Sequence, residues 1–523
     1  MNPLSRFPFG NRWKSTTASV LGMALLFVSV GMTMATLVAL VDGADALALA
    51  TATVITALLG AGLFHIATPG SRNVAVIFNA VGITWVITSV LGALPYLFAG
   101  TFATFGRPWL VVLADALFES VSGFSTSGST VFGAHNPIEA QGAGILLYRQ
   151  LTQWAGGMGI VVLVVMVLPS LRSSGLGLID AEAPGMGVDQ LTPRIKTTAA
   201  RFWSLYLGFT VAVAVGLLLA GMSPFDAVAH AFSTASTGGF STKDASIGHW
   251  DSIAIEGVVV LAMIIGGASF ALHNSALRDR KFGYFRDPEF RAYVAVLGVG
   301  VGLVAAFLVG DQIGMVRAFR SAVFNVVAFG TSSGFSNATA AGTPGDFAVW
   351  AAGPQIVLLL LMVFGGCTGS TSGGVKVIRL RVGMAQAYRS LRSLRRPRAI
   401  FPVRLGSTAI SDSMVERIAG FMVVYGLLVV VGTVTIAALG VDLVSAFGGV
   451  ISALGNMGPA LGEAGPTASY ADAYPTPARM VLAVLMLVGR LEIFPMLLML
   501  VVPYRSFDGV ARGVRNRLRA RDR

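Results

Sequence analysis

Four short runs of small polar residues carry the most distinctive chemistry in this 523-residue chain. They are Ser125-Thr126-Ser127-Gly128-Ser129-Thr130, Ser236-Thr237-Gly238-Gly239-Phe240-Ser241, Thr331-Ser332-Ser333-Gly334-Phe335-Ser336 and Gly455-Asn456-Met457-Gly458-Pro459. Aligned on Gly128, Gly239, Gly334 and Gly458, they recur at intervals of 111, 95 and 124 residues. Extended strands of this kind offer backbone carbonyls supplemented by hydroxyls, and rings of such oxygens can replace the water shell of a monovalent cation. Glycine at the turning position allows positive φ, which lets neighbouring carbonyls face the same way. Thr126 to Gly128, Thr237 to Gly239, Ser332 to Gly334 and Asn456 to Gly458 are therefore the expected ion-coordinating residues. The fourth loop replaces hydroxyls with Asn456 and Met457, so its carbonyls must supply more of the coordination.

These runs need elements that bring them to one axis. Each follows an apolar segment too short to cross a membrane, near 109–124, 225–236, 317–330 and 442–454, which reads as a re-entrant half-helix entering from the outer side. Its partly negative C-terminus would point toward the cation. Spans of about 20 apolar residues flank them, near 17–41, 46–67, 74–99, 143–169, 203–222, 252–274, 291–310, 353–380, 411–440 and 479–504. Irregular backbone at membrane depth must be buried in protein or line a water-filled cavity, because lipid cannot hydrogen-bond it. The expected architecture is thus an all-α polytopic membrane protein with four pseudo-symmetric helix, re-entrant pore helix, helix repeats around a central pore, plus two extra N-terminal transmembrane helices. The divisions fall at 1–72 for the two extra helices, 73–200, 201–288 and 289–400 for repeats 1 to 3, and 401–523 for repeat 4 with a basic tail.

Composition agrees. Apolar residues make up 54% of the chain and charged residues 12%, and mean hydropathy is +0.75, values that exclude a soluble globular domain. The net charge of +12 would suit nucleic acid. The cations, however, cluster in loops that alternate with the spans, which points to the membrane surface and places both termini in the cytoplasm. The single Cys367 excludes an internal disulfide and a cysteine-based zinc site. The apolar run from about Thr17 to Val41 exceeds the roughly 7 to 15 residues of a secretory signal core, so it is expected to be a retained span.

The segments Phe118 to Gly128, Ala231 to Ser241 and Gly455 to Pro459 resemble the filter loops of the TrkH/KtrB family of potassium transporters. Gln153 to Ile160, Ser269 to Asn274 and Gly489 to Phe494 also resemble family segments. The resemblance covers nearly the whole chain, and the two extra N-terminal spans fit the TrkH-like branch. It implies potassium uptake across the cytoplasmic (inner) membrane, with potassium ion as the transported species. It further implies a homodimer with one pore per subunit, gated by a cytosolic, TrkA-like nucleotide-binding regulatory subunit. A symporter coupling potassium to sodium or protons is the alternative. With one aligned glycine per loop, where tetrameric potassium channels use two, a looser filter is expected.

The eighth span is interrupted by Gly365 to Gly374, five glycines and four hydroxyl residues in ten positions, which a helix does not comfortably traverse. The resemblance makes this loop, including Gly369, Ser370, Thr371, Gly373 and Gly374, the intramembrane gate. It also implies that Arg490 faces the pore and contacts the loop; a structural hydrogen bond to loop carbonyls without a gating role is the other reading of this mid-span cation. The run Arg379, Arg381, Arg389, Arg392, Arg395, Arg396 and Arg398 reads either as a topology and lipid-headgroup signal or as a docking face for the regulatory subunit. Asp115, Glu119 and Asp226 either concentrate cations at the outer mouth or fix the loops. His273 reads as a helix-packing hydrogen-bonder. The chain lacks His-Glu-x-x-His, Gly-x-Ser-Gly and Gly-x-x-x-x-Gly-Lys-Ser/Thr motifs, so no enzyme activity is expected and nucleotide control must come from a partner.

Overall fold

The computed structural model describes residues 13–68, 74–103, 106–173, 195–278, 283–396, 398–399, 401–406 and 408–491. Arg6, Arg12, Glu492 and the C-terminal arginines (Arg512, Arg515, Arg517, Arg519, Arg521 and Arg523) lie outside them.

Two antiparallel helices come first, α1 (Thr16–Asp42) and α2 (Ala46–Ile66). They approach closely through glycines: a Cβ on Gly22 would lie 2.7 Å from Phe64 N, and one on Gly60 would lie 2.9 Å from Leu26 N. Small residues permit this backbone contact, which is how helices associate where lipid offers no hydrophobic drive.

Repeat 1 contains α3 (Val74–Leu91), α4 (Leu94–Phe98), the half-helix α5 (Trp109–Phe124) and α6 (Ala143–Ser173). Repeat 2 contains α7 (Ile195–Leu219), the half-helix α8 (Pro224–Ala235), α9 (Ile253–Gly266) and α10 (Phe270–Arg278). Repeat 3 contains α11 (Pro288–Gly310), the half-helix α12 (Met315–Gly330), α13 (Ala352–Val363) and α14 (Val377–Arg395). Repeat 4 contains α15 (Asp412–Ala438), the half-helix α16 (Leu443–Gly455), the short α17 (Tyr470–Ala473) and α18 (Thr476–Arg490). Two ladders of two residues each accompany the helices, Trp13–Lys14 beside Ala67–Thr68 and Arg404–Leu405 beside Thr408–Ala409.

The expected half-helices agree with α5, α8, α12 and α16 to within two residues at each end. The spans need more correction. Six helices among the described residues are long and apolar enough to cross a membrane, and a seventh if the bent pair α9 and α10 is one span. The expected span 252–274 is broken at Gly267–Ser269, where the chain turns by 96°. The third span has a two-residue turn between α3 and α4 yet remains one crossing, Phe78–Phe98, and α7 starts at Ile195, eight residues before the apolar run that announces it.

Burial is inverted relative to a soluble protein. Val41, Leu47 and Leu219 are 91%, 83% and 85% exposed, facing where lipid would be, while Ser125, Ser127, Ser236 and Ser333 are fully buried. One apolar core joins α1, α2 and repeats 1 and 4 with Val375 of repeat 3, and a second joins repeats 2 and 3 with Ile451, Met457 and Leu461 of repeat 4. The polar runs lie where the half-helices of all four repeats meet.

Candidate ion pore

Each half-helix ends in the same cap. The amide of the residue two before the aligned glycine donates to the carbonyl three residues back: Thr126 to Gly123, Thr237 to Thr234, Ser332 to Phe329 and Asn456 to Ala453. The next amide donates five residues back: Ser127 to Ser122, Gly238 to Ser233, Ser333 to Ala328 and Met457 to Ser452. This paired pattern is a Schellman cap, which needs a left-handed residue. That residue is Thr126 (φ 53°), Thr237 (52°), Ser332 (53°) or Asn456 (49°), and the aligned glycine is left-handed again, at 83°, 82°, 70° and 101°. Positive φ is a true outlier for a β-branched threonine. Its presence in two of four loops shows that the surroundings impose the conformation.

The four loops close into a ring. A Cβ on Gly128 would lie 2.2 Å from Gly238 O, one on Gly239 2.0 Å from Ser333 O, one on Gly334 1.7 Å from Met457 O and one on Gly458 2.9 Å from Ser127 O. Each glycine abuts the residue before the next glycine, and the fourth returns to the first. Within this ring most carbonyls are unpaired. Among the described residues, those of Thr126, Ser127, Gly128, Thr237, Gly239, Ser332, Ser333, Gly334, Asn456 and Met457 accept no hydrogen bond. Buried carbonyls are normally paired; seven of these ten belong to buried residues and three, Gly128, Gly239 and Gly334, to half-buried ones that line a cavity, so the ring is a concentrated source of oxygen ligands. Gly238 O and Gly458 O differ. The first accepts from Gln153 Nε2 (2.6 Å), the second from Ser129 Oγ (3.0 Å), Ser452 Oγ (2.9 Å) and Tyr470 Oη (2.6 Å), so both hold their loops.

A second register recurs nine residues before each aligned glycine, and the spacing of the polar runs did not reveal it. Glu119 accepts from Thr130 Oγ1 (3.0 Å) and Val131 N (3.0 Å). His230 donates from Nδ1 to Asp226 O (2.8 Å), leaving Nε2 to accept from Ser241 Oγ (2.9 Å). Asn325 donates to Asn337 Oδ1 (3.0 Å). In repeat 4 the position is Gly449, packed against the hydroxyl of Tyr474, which donates to Ser445 O (2.8 Å). Three of these groups tie the half-helix to the chain leaving the ring. The signal that could have found them is polarity at the same offset in three repeats.

Arg149 joins repeats 1 and 2. Fully buried, it pairs with Glu119 (2.7 Å), donates to Ser241 O (3.0 Å) and lies between the rings of Phe132 and Phe240. Asp115 is equally buried and pairs with Arg479 (3.0 Å) and Arg107 (3.1 Å). Asp226 accepts from Thr242 Oγ1 (2.6 Å) and Ser223 Oγ (2.8 Å). Of the two roles open to these acids, the contacts are those of loop fixation. Beyond the glycines, a cavity is lined by residues of all four loops together with Lys243 and Asp244.

Below the ring lies the glycine-rich loop, pinched by a bridge between Phe364 and Val375. Thr237 Oγ1 donates to Thr371 Oγ1 (3.2 Å), and Gly373 N donates to Ser332 Oγ (2.6 Å). A Cβ on Gly373 would lie 2.3 Å from Gly455 O. Gly369 and Gly374 adopt φ of 74° and 69°, and Ser370 and Thr371 are buried. The break in repeat 2 receives the other side of the loop: Cys367 N donates to Gly267 O (2.8 Å), and Phe270 N to Gly369 O (3.0 Å). Arg490, 1% exposed, donates from Nη1 to Thr371 O (2.8 Å) and from Nη2 to Gly156 O (3.2 Å). His273 bridges Tyr284 Oη (2.9 Å) and Ile265 O (3.0 Å), a packing arrangement.

Fold and site together define a polytopic helical membrane protein built as four half-helix repeats around one oxygen-lined ring. The TrkH family, described as cation transport proteins, matches residues 47–507. The Trk system potassium uptake protein TrkH of Halomonas elongata is 38% identical over 421 residues, covering 80% of this chain and 83% of that protein. The same organism's Trk system potassium uptake protein TrkI is 32% identical over 494 residues, covering 94% and 96%. The crystal structure of the potassium transporter TrkH from Vibrio parahaemolyticus superposes with a TM-score of 0.81 at 35% identity, covering 93% of this chain and 98% of that one. The chain belongs to the TrkH family.

Proposed function

We propose that this chain mediates potassium uptake across the cytoplasmic membrane through the ring of Thr126 to Gly128, Thr237 to Gly239, Ser332 to Gly334 and Asn456 to Gly458. The ring of unpaired carbonyls carries the reading: an ion shedding its water there meets oxygens already desolvated and held, so little reorganisation is needed. The names of the relatives support potassium as the ion. Gly238 and Gly458 serve by fixing loop shape, the other ten residues by their carbonyls.

The loop of Gly369, Ser370, Thr371, Gly373 and Gly374 is the gate, and Arg490 holds it while placing a positive charge below the filter. Both termini are cytoplasmic, and the repeats divide near residues 73, 201, 289 and 401. The working unit is a homodimer joined by a TrkA-like, nucleotide-binding cytosolic subunit. Support for that docking is the cytoplasmic helix α14, which follows the gate directly and leaves Tyr388, Leu391 and Leu394 exposed among its arginines. The chain itself catalyses no reaction.

Radioactive rubidium uptake into potassium-loaded liposomes holding the purified chain tests this. Uptake driven by the potassium gradient, blocked by external potassium far better than by sodium or lithium, is expected. Uptake that requires a sodium or proton gradient would replace the pore with a symporter.

A further inference from the structure

The glycine-rich loop is anchored on three sides, and only two belong to the pore already described. Filter residues and Arg490 hold its upper face, and the break between α9 and α10 holds its flank. The third anchor is Glu289, in the first turn of α11 and 3% exposed. Its Oε1 accepts from both Thr368 N (2.7 Å) and Thr368 Oγ1 (3.1 Å). Among the described residues it is the one carboxylate bonded to the segment Gly365 to Gly374. Asp287, the helix N-cap, is occupied with Phe290 N (2.8 Å).

Burying a carboxylate is costly unless hydrogen bonds repay its lost hydration. The first turn of α11 stabilises negative charge through its free amides and dipole, but the two bonds from Thr368 complete the site only while the loop is docked. The flank contacts with the repeat 2 break are neutral backbone bonds, whereas three ionisable side chains grip this segment: Glu289 at Thr368, Arg490 at Thr371 and Lys376 at Ser372 O and Oγ, Glu289 being the acid among them. Glu289 and Arg490 hold positions three residues apart, Thr368 and Thr371, on either side of Gly369-Ser370.

We infer that Glu289 is a positioning residue that keeps the loop docked beneath the filter by holding Thr368. The inference rests on the reading of this loop as the gate. Glu289 comes from the inner end of α11, so movement of that helix end relative to α13 would release Thr368 and shift the loop toward its undocked state.

The chain supplies its own reporter. Cys367 is its single cysteine, 1% exposed and adjacent to Thr368. The full-length protein in liposomes would be treated with a small water-soluble thiosulfonate, measuring the rate of Cys367 modification beside rubidium uptake and thermal stability. Glu289→Gln keeps shape and an acceptor oxygen but loses charge; Thr368→Val removes the hydroxyl donor. Each is expected to raise Cys367 reactivity about tenfold through more frequent local opening, and to raise uptake. The double variant should add little to either single one, because both break the same contact.

Unchanged Cys367 reactivity in both variants, with Arg490→Ala still raising uptake, would overturn the assignment of Glu289 and leave the pore intact. Raised reactivity without raised uptake would uphold the latch and overturn the gate. Should Glu289→Gln fail to fold, Thr368→Val carries the same test alone.

Discussion

Gly334 has no room for a methyl group. Its Cβ would lie 1.7 Å from Met457 O and 2.8 Å from Pro459 Cδ, with φ at 70°. Gly239 is nearly as tight, at 2.0 Å from Ser333 O, whereas Gly458 leaves 2.9 Å to Ser127 O. Left-handed strain of about 1–3 kcal/mol applies at all three; the backbone clash separates them, because neither loop can withdraw without opening the ring. Alanine at Gly334 or Gly239 is therefore expected to lower rubidium uptake at least about tenfold, and Gly458→Ala less, tenfold corresponding to about 1.4 kcal/mol. Gly458→Asp adds a charge beside the same carbonyl and should damage selection or conduction outright. Equal losses at Gly334 and Gly458 would show that φ, not ring closure, sets the requirement. The left-handed residues themselves differ in how they meet it. Asn456 tolerates the conformation and anchors itself through Nδ2 to Met486 O (2.8 Å). Thr126 does not suit it, and its buried Oγ1 has no hydrogen-bond partner among the described residues.

Among the elements, α1 and α2 stand apart from the fourfold scheme, and their contact gives a separable prediction. Gly60→Leu must push Leu26 N and Leu25 Cβ away, since a Cβ alone would meet them at 2.9 and 3.1 Å. Overpacking of this kind costs about 1–3 kcal/mol, so the purified protein should unfold at a lower temperature while its preference among cations is unchanged. Gly62→Leu, two residues on and with nothing within 4 Å, is the control and should leave the melting temperature where it was. The half-helices were legible because three physical signals coincide there: an apolar run too short to cross, a small polar run after it, and repetition. The break at Gly267–Ser269 was not legible. Apolar residues run up to it and a helix-compatible stretch follows, and only the loop that docks into the break explains its position. The pairs Glu119 with Arg149 and Asp115 with Arg479 were likewise hidden, since each joins residues from different elements and neither partner alone tells burial from a solvated mouth. Hydropathy joined α9 and α10 into one straight span, because a window sums polarity and cannot detect a kink.

At the scale of the whole molecule, Arg490 is where the repeats converge. It belongs to repeat 4; among the described residues it donates to Thr371 O in the loop of repeat 3 and to Gly156 O in repeat 1. Thr371 in turn meets Thr237 and Gly266 O in repeat 2. A buried guanidinium is retained in a membrane interior only where carbonyls or anions surround it, so the loop and Arg490 stabilise each other. If the charge and the loop it holds together form the barrier, Arg490→Ala should raise rubidium flux while potassium, sodium and lithium compete in the same order as before, because the oxygens of the ring are untouched. The competing possibility is built into the second bond. Gly156 packs tightly on filter loop 1, its Cβ position lying only 2.1 Å from Phe124 O, so a loss of the bond to Gly156 O could loosen the loop that carries Thr126. In that case Arg490→Ala would change rate and ion preference together, whereas Thr368→Val, which loosens the loop at Glu289 and leaves the bonds of Arg490 and of Thr237 in place, would change rate alone. Measuring competition as well as flux in the two variants therefore distinguishes a gate held from below from a filter braced from the side.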